Sequence, residues 1–224
     1  ALTKPLMPRD SVKLAIDWHF DLSAESNREG SLDSTTFFLA YFYPRIAVYD
    51  DYYGWDRTDF TEAQEFYNDF NDYTLTVNIP KNYIVWSTGD LVNPNDVLQP
   101  TYAKRLAESM KSDSIIHVAT LADVTSGAVT QQQTINKWQF KASNIPDMAV
   151  CISNHYVWDA SSVVVDQKTN RRASVQAAFL DTAQDFHQMV KFGRHALDWF
   201  SNNWPGVPYP YSKTTLIQGF ADME

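Results

Sequence analysis

The sequence contains a single cysteine, Cys151, which excludes a disulfide bond within the chain. Cys151 lies in an apolar segment and has no neighbouring base, so we expect a small, inert core residue. A run of about 18 apolar residues, the length that crosses a bilayer as a helix, does not occur. The sequence therefore predicts no membrane span.

Basic residues are also scarce. The chain has 18 Lys and Arg against 27 Asp and Glu, a formal net charge of −9. The longest basic cluster, Lys168 to Arg172, is short and typical of a solvated loop. Because nucleic-acid binders usually carry a basic stripe, the sequence predicts no nucleic-acid partner.

The familiar catalytic motifs are missing from these 224 residues. No Gly-x-Ser-x-Gly elbow, phosphate loop or dinucleotide fingerprint occurs, and 7 glycines are few for such loops. None of the 5 histidines forms a His-Glu-x-x-His pair. His187 and His195 lie eight positions apart on a predicted helix, too far apart to share one metal ion. Taken alone, the chain has no complete catalytic apparatus.

Aromatic residues, by contrast, are abundant, with 7 Trp, 12 Tyr and 13 Phe. Many alternate with polar residues, which indicates strands with one buried face. The predicted strands of the first part include Val12 to Leu22, Thr35 to Val48, Tyr73 to Ile79, Tyr83 to Trp86, Ser114 to Ala119, Trp138 to Ala142 and Met148 to Ile152. A short helix is predicted over Tyr102 to Met110, and a helical piece over Glu62 to Asp69.

The pattern changes near residue 155. Val163 to Val165 predicts a short strand, and apolar residues from Val175 to Phe200 fall at helical spacing. A final strand is predicted over Thr214 to Phe220. The sequence therefore predicts a mainly β fold with an α/β C-terminal part, divided into domains 1–155 and 156–224. One helix is too little for an independent core, so we expect the second domain to be truncated.

Two motifs flank that final strand. Pro208-Tyr209-Pro210-Tyr211 precedes it, and Ala221-Asp222-Met223-Glu224 follows it. This order resembles the aminopeptidase N family of gluzincin zinc metallopeptidases, in which a Tyr-Pro-Tyr-Pro-like turn, a strand and a Gly-x-Met-Glu motif succeed one another. Further matches to one bacterial branch of the family run in order over most of the chain: Tyr43 to Asp50, Gly54-Trp55, Glu65-Phe66, Asp72-Tyr73, Ile79 to Lys81, Thr88 to Leu91, Trp138 to Phe140 and Tyr156 to Ala160.

The resemblance implies a particular fold. Residues 1–155 would be the later strands of a saddle-like β-sandwich domain, and residues 156–224 would be the first strand-helix-strand of a thermolysin-like catalytic domain. In the family the zinc helix follows the Gly-x-Met-Glu motif. The resemblance thus implies a fragment of a zinc aminopeptidase, with zinc in the parent enzyme and none in the fragment. It also implies a periplasmic or secreted location, since that bacterial branch is often exported.

The resemblance also assigns residues. Glu224 would pair with the free α-amino group of a peptide substrate, because an ammonium entering a partly dry cleft needs a carboxylate partner. The backbone of Ala221, Asp222 and Met223 would hold the substrate carbonyl. No catalytic residue and no metal ligand is assigned within the chain, and the isolated chain is expected to be inactive.

Two alternatives remain open. Ala221 replaces the usual motif glycine, Asp222 adds a charge, and Tyr41-Phe42 stand where the family usually has Gln or Glu. These departures fit a degenerate scaffold that has kept the fold alone. The aromatic loop Tyr52-Tyr53-Gly54-Trp55 instead suggests a non-catalytic β-rich module that binds glycans or proteins by stacking.

Overall fold

A computed structural model describes residues 5–24, 29–59 and 67–219. The fold is mainly β, with 36% strand and 19% helix, which confirms the predicted class. The strands are β1 (Gly30–Asp33), β2 (Thr36–Leu39), β3 (Tyr49–Asp50), β4 (Gly54–Trp55), β5 (Asn71–Pro80), β6 (Ile84–Ser87), β7 (Asp90–Leu91), β8 (Ile116–Ala119), β9 (Ile135–Ile145), β10 (Val150–Ser153), β11 (Val157–Asp166), β12 (Arg171–Phe179) and β13 (Lys213–Ile217). The helices are α1 (Pro94–Val97), α2 (Pro100–Ser109), α3 (Leu121–Thr125), a 3-10 helix (Gln184–Gln188) and α4 (Met189–Asn202).

The long strands β5 and β9 follow the predicted alternation. They pair antiparallel, with Leu75 opposite Phe140 and Val77 opposite Trp138, and β7 pairs with the other side of β9. Trp138 and Phe140 are almost fully buried. The alternation in the sequence therefore corresponds to one apolar and one polar face.

A second sheet has the strand order β1-β2-β10-β6, and all of its pairs are antiparallel. Strand β10 carries Cys151, which is 3% exposed. The prediction of a core cysteine is therefore confirmed. Burial raises the pKa of the Cys151 thiol, so the thiol stays protonated at neutral pH.

The third sheet has the order β13-β12-β11-β8. Strand β11 pairs antiparallel with both β12 and β8, whereas β13 runs parallel to β12. Because β8 belongs to the first part of the chain, this sheet joins residues from both sides of position 155. The domain boundary at 155 stays a prediction.

Helix α4 packs across β11 and β12. A Cβ on Gly193 would lie 2.8 Å from Val175 Cγ1, so the lack of a side chain there permits this close approach. Val175, Phe179 and Val190 belong to a smaller core between the helix and the sheet. A larger core contains most of the other buried aromatic residues: Trp86, Trp138, Phe140, Tyr156 and Trp158.

The predicted strand over Val12 to Leu22 is wrong. The segment forms no strand, and its alternating apolar side chains are largely exposed. A segment with alternating apolar and polar residues forms a strand only where a neighbouring strand provides backbone hydrogen-bond partners. No described strand pairs with this segment. A hydrogen bond of 2.8 Å from Trp18 Nε1 to the Phe42 carbonyl connects it to the rest of the chain.

The predicted long helix is wrong in its first half. Val175 and Phe179 belong to β12, and α4 begins at Met189. Most of β12 is buried on both faces, so its sequence lacks a polar alternation and its apolar residues match helical spacing by coincidence. His187 lies in the 3-10 helix and His195 in α4, so the two do not share one α-helix.

The predicted strand over Thr35 to Val48 is present only in part. Within the predicted strand Thr35 to Val48, β2 is short and the backbone beyond it is irregular. The helical piece predicted over Glu62 to Asp69 lies mostly outside the described residues. Of the helices in the described ranges, none combines the length and the apolar character that a bilayer crossing requires.

Candidate functional site

The residues predicted to bind substrate lie outside the described residues; they are Ala221, Asp222, Met223 and Glu224. The strand that leads toward them, β13, is described in full. The structure therefore describes the surroundings of β13, the strand that precedes the predicted site.

Gln218 directly follows β13 and takes part in three hydrogen bonds. Its backbone N–H donates to the Ala178 carbonyl at 3.0 Å. Its carbonyl accepts from Tyr156 Oη at 2.9 Å, and its side-chain Oε1 accepts from the Leu180 N–H at 2.8 Å. The end of the strand is therefore held in place by β12, by the residue that follows β12 and by a buried tyrosine.

A cavity of about 540 Å³, the first cavity, opens beside the start of β13. One wall is the segment from Tyr209 to Lys213, which contains the last three residues of the Pro-Tyr-Pro-Tyr motif. Other lining residues come from the turn at Thr88 to Asp90 and from the end of β9 up to Asp147. The first cavity is thus lined by residues from both sides of the predicted boundary at residue 155.

Arg171 holds the Pro-Tyr-Pro-Tyr motif in place. Its guanidinium donates to the carbonyl of Tyr209 and, at 3.3 Å, to the carbonyl of Tyr211. The Tyr209 N–H donates to Ser201 Oγ at 3.1 Å, and Tyr209 Oη donates to the Lys213 carbonyl at 3.2 Å. Backbone carbonyls away from water need donors, and here an arginine on β12 supplies them. The motif is therefore a well-anchored wall of the first cavity.

The turn that also lines the first cavity depends on Gly89. Its φ of +83° is in the left-handed region, and a Cβ there would lie 2.4 Å from the Lys141 carbonyl oxygen. Next to it, Asp90 accepts hydrogen bonds from Ser212 Oγ on both carboxylate oxygens, at 2.7 and 2.8 Å. This contact connects the turn to the residue that precedes β13.

Tyr43 and Arg45, both in the matched segment Tyr43 to Asp50, hold Asp147, which also lines the first cavity. Tyr43 Oη donates to Asp147 Oδ1 at 2.7 Å, and Arg45 Nη1 donates to Asp147 Oδ2 at 3.1 Å. Burial, together with hydrogen bonding to Tyr73 and Asp147, raises the pKa of Tyr43, which therefore stays a neutral donor. The sequence contains no local signal for this ion pair, because its partners are far apart in the chain.

Lys213 lines the first cavity and two further cavities of about 260 Å³ and 440 Å³. Its ammonium donates to the Ser87 carbonyl at 2.7 Å and lies 5.7 Å from the centroid of the Phe140 ring. Both Ser87 and Phe140 are almost fully buried. Burial lowers the pKa of Lys213 to about 8, although the negative charge of Asp90 acts in the opposite direction. Sequence reasoning missed this lysine, because its burial depends on strands far away in the chain.

Strand β13 lies at one end of its sheet. It pairs with β12 on one side, and no described strand pairs with it on the other. The cavity of about 440 Å³, named the β13 cavity, is lined by Lys213, Thr214, Thr215 and Ile217 of this strand and by Trp86 and Cys151 of the second sheet. The strand therefore presents several residues to open space directly ahead of the predicted site.

His155 lies in a polar cluster on the second sheet. It contacts Ser153 Oγ through Nδ1 at 3.4 Å and Asp33 Oδ2 through Nε2 at 3.3 Å. Such contacts share the composition of a hydrolase triad, but Ser153 is 0% exposed, so no substrate can reach its hydroxyl. The cluster is therefore a polar contact within the fold rather than a nucleophilic site.

His117 lies on β8 and contacts the buried carboxylate of Asp159 on β11. Its Nδ1 is 2.6 Å from Asp159 Oδ1, and Asp159 is 4% exposed. Buried carboxylates require hydrogen-bond partners, and this histidine supplies one between β8 and β11.

The aromatic loop predicted as a binding surface forms the turn between β3 and β4. Tyr52 is 84% exposed, Tyr53 82% and Trp55 54%. Asp50 Oδ1 accepts hydrogen bonds from the N–H groups of Tyr52 and Tyr53 at 2.9 and 2.6 Å, which fixes the turn. These rings are therefore held outward rather than packed in a core.

Across residues 5–24, 29–59 and 67–219, no three side chains of His, Cys, Asp or Glu come together as a metal site would require. A scan of the chain against protein-family models finds no match, and a search of curated proteins finds none either.

Proposed function

We propose that this chain forms the substrate-recognition wall of a zinc-dependent aminopeptidase that removes N-terminal residues from peptides. The observation that carries the proposal is strand β13. It borders a cavity along its length and ends in a fixed position at Gln218, shortly before the motif that resembles Gly-x-Met-Glu. The proposal for this chain concerns substrate binding, because the resemblance assigns it no zinc ligand.

The proposal includes the finer fold that the resemblance implies. Residues 1–155 would be the later strands of a saddle-like β-sandwich, and residues 156–224 would begin a thermolysin-like catalytic domain in a periplasmic or secreted enzyme. The antiparallel sheets before residue 155 and the order β11, β12, α4, β13 after it are compatible with this division.

A strand edge beside a cavity suits an extended peptide. The edge of β13 that faces away from β12 has N–H and C=O groups in the spacing that a peptide backbone can match, as in other cases of strand addition. Thr214 and Thr215 line the β13 cavity from the same strand. We infer that a peptide lies along this edge with its amino end directed toward Glu224.

The anchored end of β13 also supports recognition of a terminal amine. Gln218 makes hydrogen bonds with Ala178, Leu180 and Tyr156. A carboxylate that selects a terminal amine must lie at one fixed distance from the bond to be cleaved, because that distance limits hydrolysis to the first residue. An anchored strand end is what such a carboxylate requires, and Glu224 follows it a few positions later.

The test uses the natural protein that contains this sequence. Its amino-acid sequence should include His-Glu-x-x-His and a more distant third Glu ligand, and the purified protein should hydrolyse alanine 4-nitroanilide after addition of zinc. N-acetyl-alanine 4-nitroanilide, which lacks the free amine, should be hydrolysed at least about 100-fold more slowly, because the carboxylate then loses its ammonium partner.

Equal hydrolysis of the two substrates would contradict the proposed amine recognition. A natural protein without the His-Glu-x-x-His motif would instead support the degenerate scaffold, in which the fold persists without the chemistry. The isolated 224-residue chain is predicted to bind no stoichiometric zinc and to cleave no peptide.

A second candidate function is supported by the exposed rings of Tyr52, Tyr53 and Trp55. Aromatic faces of this kind stack on the apolar faces of sugar rings, so we propose a glycan-binding module as the alternative. Tryptophan fluorescence should then change on titration with oligosaccharides, and the W55A variant should lose that response. A response unaffected by W55A would remove the support for this candidate.

A further inference from the structure

The segment from Ser11 to Leu22 has the residue pattern of a strand but no strand beside it. Its backbone contains no helix, turn or bend. Among the described residues, none of its backbone N–H and C=O groups has a backbone hydrogen-bond partner. An extended segment in this state has two open edges, and open edges are templates for pairing with another chain.

The apolar side chains of this segment are exposed to solvent. They alternate along the chain, so in a strand they share one face. Each has 44–54% of its surface exposed; they are Val12, Leu14, Ile16, Trp18 and Phe20. Proteins usually protect an open edge with a charge or a proline among the apolar positions, and this set contains neither. The face is therefore suited to pairing with another strand.

The opposite face of the segment has charges of both signs, Lys13, Asp17 and Asp21. The pattern is self-complementary when the segment pairs antiparallel with a second copy of itself and Ala15 lies on the twofold axis. Lys13 then lies opposite Asp17 of the second copy, and the symmetry forms this pair twice. In the same register Leu14 lies opposite Ile16, and Val12 lies opposite Trp18.

Two neighbouring registers also pair apolar with apolar residues, and both fit the charges less well. With Ile16 on the axis, Lys13 lies opposite His19 and has no carboxylate opposite it. With Asp17 on the axis, Lys13 lies opposite Asp21, but the two Asp17 carboxylates lie opposite each other. Opposite charges stabilise a directly paired position and like charges destabilise it. Of these three registers, the one centred on Ala15 is therefore favoured.

We propose that the segment Ser11 to Leu22 pairs antiparallel with the same segment of a second copy of this chain, in the register centred on Ala15, and so forms a symmetric dimer. The pairing gives one edge of each segment its backbone hydrogen-bond partners. It also brings the apolar side chains of the two copies into contact across the strand pair. The inference goes beyond the proposed function and does not depend on it, because the segment contains none of the residues predicted to bind substrate.

Register-specific cross-linking is the first test. In the proposed register the two copies of residue 15 are direct neighbours, with Cβ atoms about 4.5–5.5 Å apart, near the span of a disulfide bond. The two copies of residue 17 are about 13 Å apart along the strands, beyond that span. The A15C variant should therefore form a covalent dimer under a mild oxidant at least about tenfold faster than the D17C variant. The native Cys151 is 3% exposed and does not compete, and the unsubstituted protein is the control.

Charge reversal is the second test, with the dimer dissociation constant measured by sedimentation velocity. K13E puts two carboxylates opposite each other at both symmetric positions, so it should weaken the dimer at least about tenfold. K13E/D17K restores opposite charges in the same register and should recover the dimer to within about threefold of the wild type. K13E/D21K is the matched control, because it has the same net charge but keeps the two carboxylates opposite each other.

The two tests together decide the inference. Faster cross-linking of A15C than of D17C, and rescue by D17K but not by D21K, are the expected results. A monomer at all concentrations up to about 1 mM, equal cross-linking of A15C and D17C, or equal rescue by D17K and D21K would overturn the inference. A different strand of the same polypeptide that covers the segment would give the first of these contrary results. Neither test involves Glu224 or a peptide substrate, so failure of the dimer and failure of the proposed function are distinguishable.

Discussion

Replacing Lys213 by methionine should stabilise the fold at neutral pH. Burial lowers the pKa of Lys213 to about 8 from its usual 10.5. That difference corresponds to roughly 3 kcal/mol, the cost of keeping the charged form in this environment. Methionine has a similar length and no charge, so the K213M variant avoids this cost.

The gain is smaller than the full burial cost. Without the ammonium, the Ser87 carbonyl loses its hydrogen bond and the Phe140 ring loses its cation, a loss of about 1–2 kcal/mol together. The free energy of unfolding of K213M should therefore exceed that of the wild type by about 1–2 kcal/mol at pH 7.

The pH dependence gives the sharper test. Because the folded-state pKa lies below the unfolded one, the unfolded chain binds more protons between pH 8 and 10.5, and wild-type stability rises over that window. The advantage of K213M should be constant below about pH 8 and should fall, by roughly 3 kcal/mol, as the pH rises through about 10.5. Other titrating groups cancel in the difference between the two proteins.

Urea unfolding of both proteins at pH 7 and at about pH 10.5, followed by tryptophan fluorescence, measures this difference. The exposed Lys141 provides the control, because K141M makes the same replacement at a lysine that is not buried. A K213M variant that is less stable than the wild type at pH 7, with the same difference at the higher pH, would refute the claim of a costly buried charge.

Three further changes test contacts elsewhere in the fold and at the turn beside the first cavity. Although burial acts in the other direction, hydrogen bonds from Thr120, Arg105 and Tyr102 lower the pKa of Asp123 to about 2. D123N should therefore cost about 1–2 kcal/mol in urea unfolding at pH 7, and the cost should shrink as the pH falls from about 4 to 2; a cost independent of pH would contradict this. G89A should cost about 2 kcal/mol or more, because the new Cβ would lie 2.4 Å from the Lys141 carbonyl oxygen; unchanged stability would contradict the geometry. W138A should cost about 3–5 kcal/mol in the same assay, because Trp138 is fully buried, and a cost near zero would place it outside the core.

Sequence patterns predicted the strands that have one buried and one solvated face. In β9, Trp138 and Phe140 alternate with more polar residues because only one face meets the core, so periodicity carries the signal. Strand β12 packs against α4 and is buried over most of its length. Its sequence keeps no polar alternation, and local pattern alone could not distinguish it from a helix.

The candidate site was predictable in part. The Pro-Tyr-Pro-Tyr motif and the Thr88 to Asp90 motif, both noted in the sequence, line the first cavity. The environment of Lys213 was not predictable, because its hydrogen-bond acceptor Ser87 lies 126 positions away along the chain. Asp147 illustrates the same limit, since its partners Tyr43 and Arg45 are 104 and 102 positions distant. Long-range contacts of this kind exist only in the folded chain.

The most direct test of the central claim is the E224Q variant of the natural, zinc-loaded protein. Glutamine keeps the size of the side chain but removes the charge that is proposed to pair with the substrate amine. The account predicts that kcat/KM for alanine 4-nitroanilide falls by at least about 100-fold, while the slow hydrolysis of the acetylated substrate changes little. Equal effects on both substrates, or no effect on either, would contradict recognition of the amine by Glu224.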